Sequence, residues 1–158
     1  MTDTTAGTEL TATVTIDANP AQVWALITDL PRMASWSPQV VRSFVLGGGP
    51  VREGTRFLNL NHQGWKHWPT TGRVVRFRPH EDFAFRITEN RTIWSFQLEP
   101  VGDGPQTMVT HRRETPEGIS ALSTSLTKLA FGGQEPFTTE LVEGMHQTLG
   151  RLKADAER

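Results

Sequence analysis

The chain contains no cysteine and no tyrosine. The first absence removes disulfides, thiolate nucleophiles and cysteine-based metal sites together. The second leaves acid–base work and oxyanion stabilisation to His, Asp, Glu, Lys, Arg, Ser or Thr. Net charge is nearly absent too: 16 Lys and Arg stand against 17 Asp and Glu, for a formal charge of −1. So balanced a chain has no long-range field to gather phosphates, which argues against a nucleic-acid partner. No apolar run approaches membrane-spanning length, and Met1 to Thr8 is polar, without the basic-then-apolar order of a signal peptide. The expectation is a cytoplasmic protein with no stable membrane insertion, either a monomer or a homodimer. Its 158 residues suffice for one domain with a true core: residues 1–8 are read as a mobile tail and 9–158 as the domain.

What is present is ordered by periodicity. Leu10, Ala12, Val14 and Ile16 alternate with Thr11, Thr13, Thr15 and Asp17, the period of two that marks a half-buried strand. Asn19-Pro20-Ala21-Gln22 then offers an N-cap, proline at the first helical position and Gln three residues after the cap. Val23, Trp24, Ile27 and Leu30 form that helix's apolar face, and Pro31 predicts its end at Asp29 or Leu30. A short second helix fits between Pro31 and Pro38. From Val40 to Thr115 the pattern is of successive strands divided by Gly47-Gly48-Gly49-Pro50, His62-Gln63-Gly64, Pro79 to Asp82, Glu89-Asn90-Arg91 and Gly102 to Pro105. Turns this short require antiparallel pairing.

Beyond Gly118, Ile119, Leu122, Leu126 and Leu129 fit one helical stripe, broken at Gly132-Gly133. Phe137, Leu141, Met145, Leu149 and Leu152 fit a second. Gly144 and Gly150 each weaken that last helix by roughly 1 kcal/mol relative to Ala, so tertiary contact must hold it. Strand, helical pair, antiparallel run and final amphipathic helix bury both apolar surfaces only if the sheet wraps that helix. The predicted fold is α+β of the helix-grip kind, with an apolar cavity between sheet and helix.

The same residues resemble the START-like (SRPBCC) superfamily, within its polyketide cyclase and dehydrase group. The likeness spans nearly the whole chain: Pro20-Ala21-Gln22-Val23-Trp24, Asp29, Trp36-Ser37-Pro38, Gly54-Thr55-Arg56-Phe57, then Asn61, Gly64 and Trp68 at spacings seen in many bacterial members. Phe83-Ala84-Phe85, Trp94-Ser95-Phe96 and Thr107 through Glu114 into Pro116-Glu117-Gly118 complete it. It implies the helix-grip fold and, for function, a range from lipid carriers and hormone receptors to cyclases. The segment Ile119 to Leu129 suggests an elaborated lid, and the missing tyrosine departs from members that place phenols in the pocket.

Parity assigns inward faces. Phe57 carries Asn59 and Asn61 inward with it; Val75 and Phe77 carry Arg73; Phe83, Phe85 and Ile87 form one row and Trp94, Phe96 and Leu98 another. On the last strand Met108 and Val109 leave parity open, and the resemblance favours Val109, His111 and Arg113. The expected ligand contacts are therefore Phe57, Asn59, Asn61, Arg73, Phe85, Ile87, Trp94, Phe96 and Arg113, joined by Trp68 and by Phe137, Leu141 and Met145 of the final helix. This is the apolar wall with few polar groups that a small-molecule site requires. Plainer readings stand beside it: the aromatic rows as core, Arg73 and Arg113 as rim residues reaching water, His111 as a satisfied structural histidine. No pair among His62, His67, His80, His111 and His146 has ligand spacing with a carboxylate nearby, so neither metal nor cofactor is expected. Gly47-Gly48-Gly49 lacks the Lys-Ser or Lys-Thr of a phosphate loop, and no Gly-x-Ser-x-Gly elbow exists.

Two functions follow from that face. One is binding, carriage or sensing of a hydrophobic or aromatic molecule, lipid or polyketide-like. The alternative is a polyketide-type cyclase or dehydratase in which His111 is the general acid–base and Arg73 or Arg113 stabilises an enolate or carboxylate.

Overall fold

The computed structural model describes residues 9–115 and 134–158, and the side chains of the last helix from Thr139 onward. The stripe from Ile119 to Leu129, the Gly132-Gly133 break, the Phe137 contact and the tail before Glu9 lie outside the described residues. Within them run β1 (Leu10–Ile16), α1 (Pro20–Ile27), a 3-10 helix (Leu30–Ser35), β2 (Val40–Leu46), β3 (Arg56–Gln63), β4 (Lys66–Arg78), β5 (Asp82–Ile87), β6 (Ile93–Val101), β7 (Gln106–Glu114) and α2 (Gln134–Ala156). The strands form one antiparallel sheet in the order β1-β7-β6-β5-β4-β3-β2. This is the helix-grip arrangement.

Helix α1 starts where the sequence places it. The Asn19 side chain accepts from the Gln22 backbone N–H at 2.9 Å, while Gln22 Oε1 accepts from the Asn19 N–H at 2.9 Å. Asn19→Ala deletes one half of this reciprocal box and is expected to cost about 1 kcal/mol, read as a lower urea midpoint at unchanged m. An unaltered midpoint would show that the box contributes nothing. The helix ends earlier than predicted, at Ile27, because Thr28 caps it through Oγ1 to the Trp24 carbonyl at 2.8 Å. Leu30 instead opens the 3-10 turn and stays fully buried.

Helix α2 has two halves with different partners. Leu149 and Leu152 are packed into the core with Ile16, Val23, Ile27 and Phe83. Its C-terminal end is fastened at three points. Asp155 accepts from Arg32 at 3.0 and 3.2 Å and from Trp36 Nε1 at 3.2 Å, Lys153 Nζ donates to the Thr15 carbonyl at 2.8 Å, and Glu157 accepts the Asp17 N–H at 2.7 Å. The half from Glu140 to Thr148 faces a hollow instead.

One inward assignment is overturned. The β4–β5 register slips between Val74 and Arg76, so Val75 is a bulge residue and parity inverts across it. Gly72 and Val74 are buried and Phe77 packs on the core, whereas Arg73 is exposed on the outer face. Arg76 lies on that outer face too. It shares a cross-strand row with Ala84 and Ser95, both fully buried, and lies over these small residues to reach Glu114 at 3.1 Å, while bonding Asp82 at 2.9 Å.

Candidate functional site

Large side chains fill the inner surface at one end of the sheet and stop short of filling it at the other. Trp24, Phe77 and Phe83 interlock edge-on with centroids 5.1 to 6.2 Å apart. Further along the same strands lies a cavity of about 640 Å3, a volume suited to a drug-sized molecule. Its apolar wall is Phe85 and Ile87 of β5, Trp94 and Phe96 of β6, Trp68 of β4, and Leu141 and Met145 of α2. Asn59, Asn61, His111 and Arg113 supply polar groups from the sheet, and Lys66, Glu140 and Glu143 add charged ones from β4 and α2. Eleven of the fourteen sequence-predicted positions thus share one cavity. Arg73 faces outward for the reason given. Phe57 is inward but is core: its ring lies against Gly72 and edge-on to Phe85 at 5.2 Å, with no surface left exposed. Phe137 lies where side chains are not described.

On β7 the inward set is Val109, His111 and Arg113, all buried. His111 stands opposite Phe96, with which it stacks at 4.1 Å and 10°, and it leans on Trp94 at 5.7 Å. Its Nδ1 lies 2.9 Å from the Ser95 carbonyl. A carbonyl only accepts, so Nδ1 carries the proton and Nε2 keeps its lone pair. Burial pushes the His111 pKa down to about 4, against the raising effect of that hydrogen bond, so the ring is neutral at pH 7. Arg113 stands opposite Trp94 and lies over its ring at 5.7 Å. Burial lowers its pKa to about 10, which leaves it cationic at pH 7.

Asn61 is tied within the β3–β4 hairpin, its Nδ2 donating to the Trp68 carbonyl at 3.1 Å and Thr70 Oγ1 at 2.9 Å. Asn59 differs: its Oδ1 is buried without a hydrogen-bond partner, as is Oγ of Ser43 directly across the ladder. At the mouth, Gln63 of β3 donates to Glu140 of α2, joining hairpin to helix. Sequence reasoning missed several lining residues. Met33 comes from the 3-10 helix, Pro38 and Gln39 from the segment after it, Val40 from the start of β2, and Thr148 from α2. Thr148 was detectable, since it follows Leu141 by seven residues and Met145 by three on one helical face. Pro38 carried only a turn signal, although its ring comes within 3.4 Å of where a Cβ on Gly144 would stand.

The family described as polyketide cyclase/dehydrase and lipid transport matches residues 7–157. The chain belongs to this family. No curated protein matches it in sequence. Solved structures do share its fold. The KanY protein superposes with a TM-score of 0.72 at 20% identity, covering 96% of this chain and 99% of that one. The Zhui aromatase/cyclase from a Streptomyces species gives 0.73 at 17% identity over 96% and 94%. The di-domain ARO/CYC StfQ of the steffimycin biosynthetic pathway gives 0.72 at 12% identity, covering 96% of this chain and 51% of that one. At such identities the likeness concerns the fold. Family and geometry together give a ligand-binding cavity fold, and among the described residues no helix is long and apolar enough to cross a membrane.

Proposed function

We propose that this member of the family binds a planar apolar or aromatic small molecule in the cavity, and carries, buffers or senses it. The observation that carries this reading is the hollow itself: about 640 Å3, with an apolar wall of Phe85, Ile87, Trp94, Phe96, Leu141 and Met145 beside polar groups on the β3–β4 hairpin, β7 and α2. The roles of those residues as ligand contacts belong to the same proposal. Cyclisation or dehydration with His111 as general acid–base is the competing reading, favoured by the family and by the aromatase/cyclase neighbours. Against it stands the basicity of His111. A ring with its pKa near 4 is a weak proton acceptor at pH 7, whereas general bases work best with a pKa near the operating pH.

The test is a thermal-shift and native mass-spectrometry screen against fatty acids, sterols and aromatic polyketides, with Ile87→Trp as a plugged control. At least one class should bind, and the plug should weaken it roughly tenfold or more by occupying the space that the guest needs. If no apolar compound binds, or if the plug changes nothing, the reading fails. A compound turned over by the wild type but not by His111→Gln, with binding retained, would move the assignment to the enzyme.

A further inference from the structure

Arg113 is 8% exposed, and its Nε is buried without a hydrogen-bond partner. It makes no ion pair among the described residues. Glu140 and Glu143 of α2 line the same cavity, but Glu140 accepts from Gln63, and sheet parity removes the carboxylates nearest in the chain. The sequence neighbour of Arg113, Glu114, points to the opposite face and is engaged by Arg76 at 3.1 Å, and Glu9 lies by Arg112 on that outer face. The Trp94 ring beneath the guanidinium recovers part of the lost hydration through its π-face, but a ring offers no lone pairs to the N–H fork. A buried cation whose Nε is unbonded and which, among the described residues, has no counter-ion is costly for the fold to keep. A planar fork of donors in a cavity wall is the group best matched to a pair of anionic oxygens.

We propose that the ligand is an anion: a planar aromatic molecule bearing a carboxylate or a chemically equivalent pair of oxyanions, seated on Arg113 with its ring against Trp94 and Phe96. This deepens the binding reading above and rests on it. It also orders the neighbouring groups. Nε2 of His111 is an acceptor and Glu140 and Glu143 line the same cavity, so they suit ligand hydroxyls and repel a second anionic group. One acidic end and a hydroxylated body is the pattern they select. The neutral lipid and sterol classes lack the acidic end and drop out.

The experiment is a titration of Trp fluorescence with three probes of one shape: 2-naphthoate, 2-naphthamide and methyl 2-naphthoate. The wild type should bind the acid about 10- to 100-fold more tightly than either neutral probe, the range for a charge-assisted hydrogen-bonded pair. Arg113→Met should erase that preference while keeping affinity for the neutral probes. Arg113→Lys, a point charge without the fork, should keep only part of it. Arg113→Met, freed of an unpaired buried charge, should melt no lower than the wild type in the absence of ligand. If it fails to fold, Arg113→Lys still reads the preference. Equal binding of acid and amide by the wild type, or a preference for the acid that survives Arg113→Met, overturns the anion while leaving the cavity reading intact. If none of the three probes binds and the apolar screen is also empty, both fall together. If apolar compounds bind and 2-naphthoate does not, only the anion falls.

Discussion

Gly72→Ala is expected to destabilise the protein by about 3 kcal/mol, at the upper end of overpacking costs. A Cβ at this position would stand 2.3, 2.7 and 2.8 Å from Cζ, Cε2 and Cε1 of the Phe57 ring, separations that no real Cβ tolerates. The two residues are direct partners across β3 and β4. Ordinarily alanine gains over glycine in a strand by roughly 0.5–1 kcal/mol through unfolded-state entropy, so the clash must outweigh a favourable term. Phe57 cannot swing clear, because it has no exposed surface and Phe85 meets it edge-on at 5.2 Å. A double-mutant cycle separates this account from a general intolerance of side chains at the site. Phe57→Ala alone should cost about 3–5 kcal/mol. In that background Gly72→Ala should cost nothing further, since the ring it struck is gone. Urea unfolding of the four proteins supplies the comparison. A Gly72→Ala protein within about 0.5 kcal/mol of wild type, or strictly additive costs, would remove the steric explanation.

The pairing of Phe57 with Gly72 also explains why the cavity begins where it does. The absent side chain on β4 admits a phenyl ring that seals one end of the inner surface, and the open volume lies on the side of Asn59, Asn61 and Trp68.

Which inward residues were legible follows from how regular each strand is. On β3, β5 and β6 the period of two runs without interruption, so one large buried residue fixed the face of every other. Asn59, Asn61, Phe85 and Phe96 were assigned to the inner face by that means, whereas on β7 Met108 and Val109 leave the phase open and only the family resemblance pointed to His111 and Arg113. On β4 the period breaks at Val75, and a bulge leaves no mark in the residue types themselves: Val74-Val75 reads equally well in either phase. Arg73 was misplaced for that reason alone. The α2 stripe and the Asn19 capping box were legible because each depends on local spacing. Met33, Pro38 and Gln39 were not, because only the path of the chain through the 3-10 helix and on to β2 brings them to the cavity. That Arg113 has no ion pair among the described residues was out of reach of sequence too, since Glu114 is adjacent in the chain and only the sheet's two-sidedness keeps it from Arg113.

Acid should weaken this fold earlier than its carboxylates alone would. In the unfolded chain His111 titrates near pH 6.5, while in the native protein burial holds its pKa at about 4. Between those values the unfolded state binds one proton that the native state refuses, so stability falls as pH drops, with a slope of about 1.4 kcal/mol per pH unit. The contribution is complete above pH 6.5 and has been lost by pH 4, about 3 kcal/mol in all. Asp155 and Glu157 also resist protonation, through Arg32 and Lys153 respectively, but their contributions are lost as pH falls through native pKa values below the ordinary carboxylate range. His111→Gln retains those carboxylates and removes the imidazole, so the difference between the two proteins isolates the ring. Urea unfolding at half-unit steps from pH 7.5 to 4 should show wild-type stability declining toward that of the variant, with most of the convergence between pH 6.5 and 4.5. A constant difference over that interval would mean that the ring takes up its proton inside the folded protein. It would then be the basic imidazole that acid–base catalysis needs, and the choice between carrier and cyclase would turn the other way.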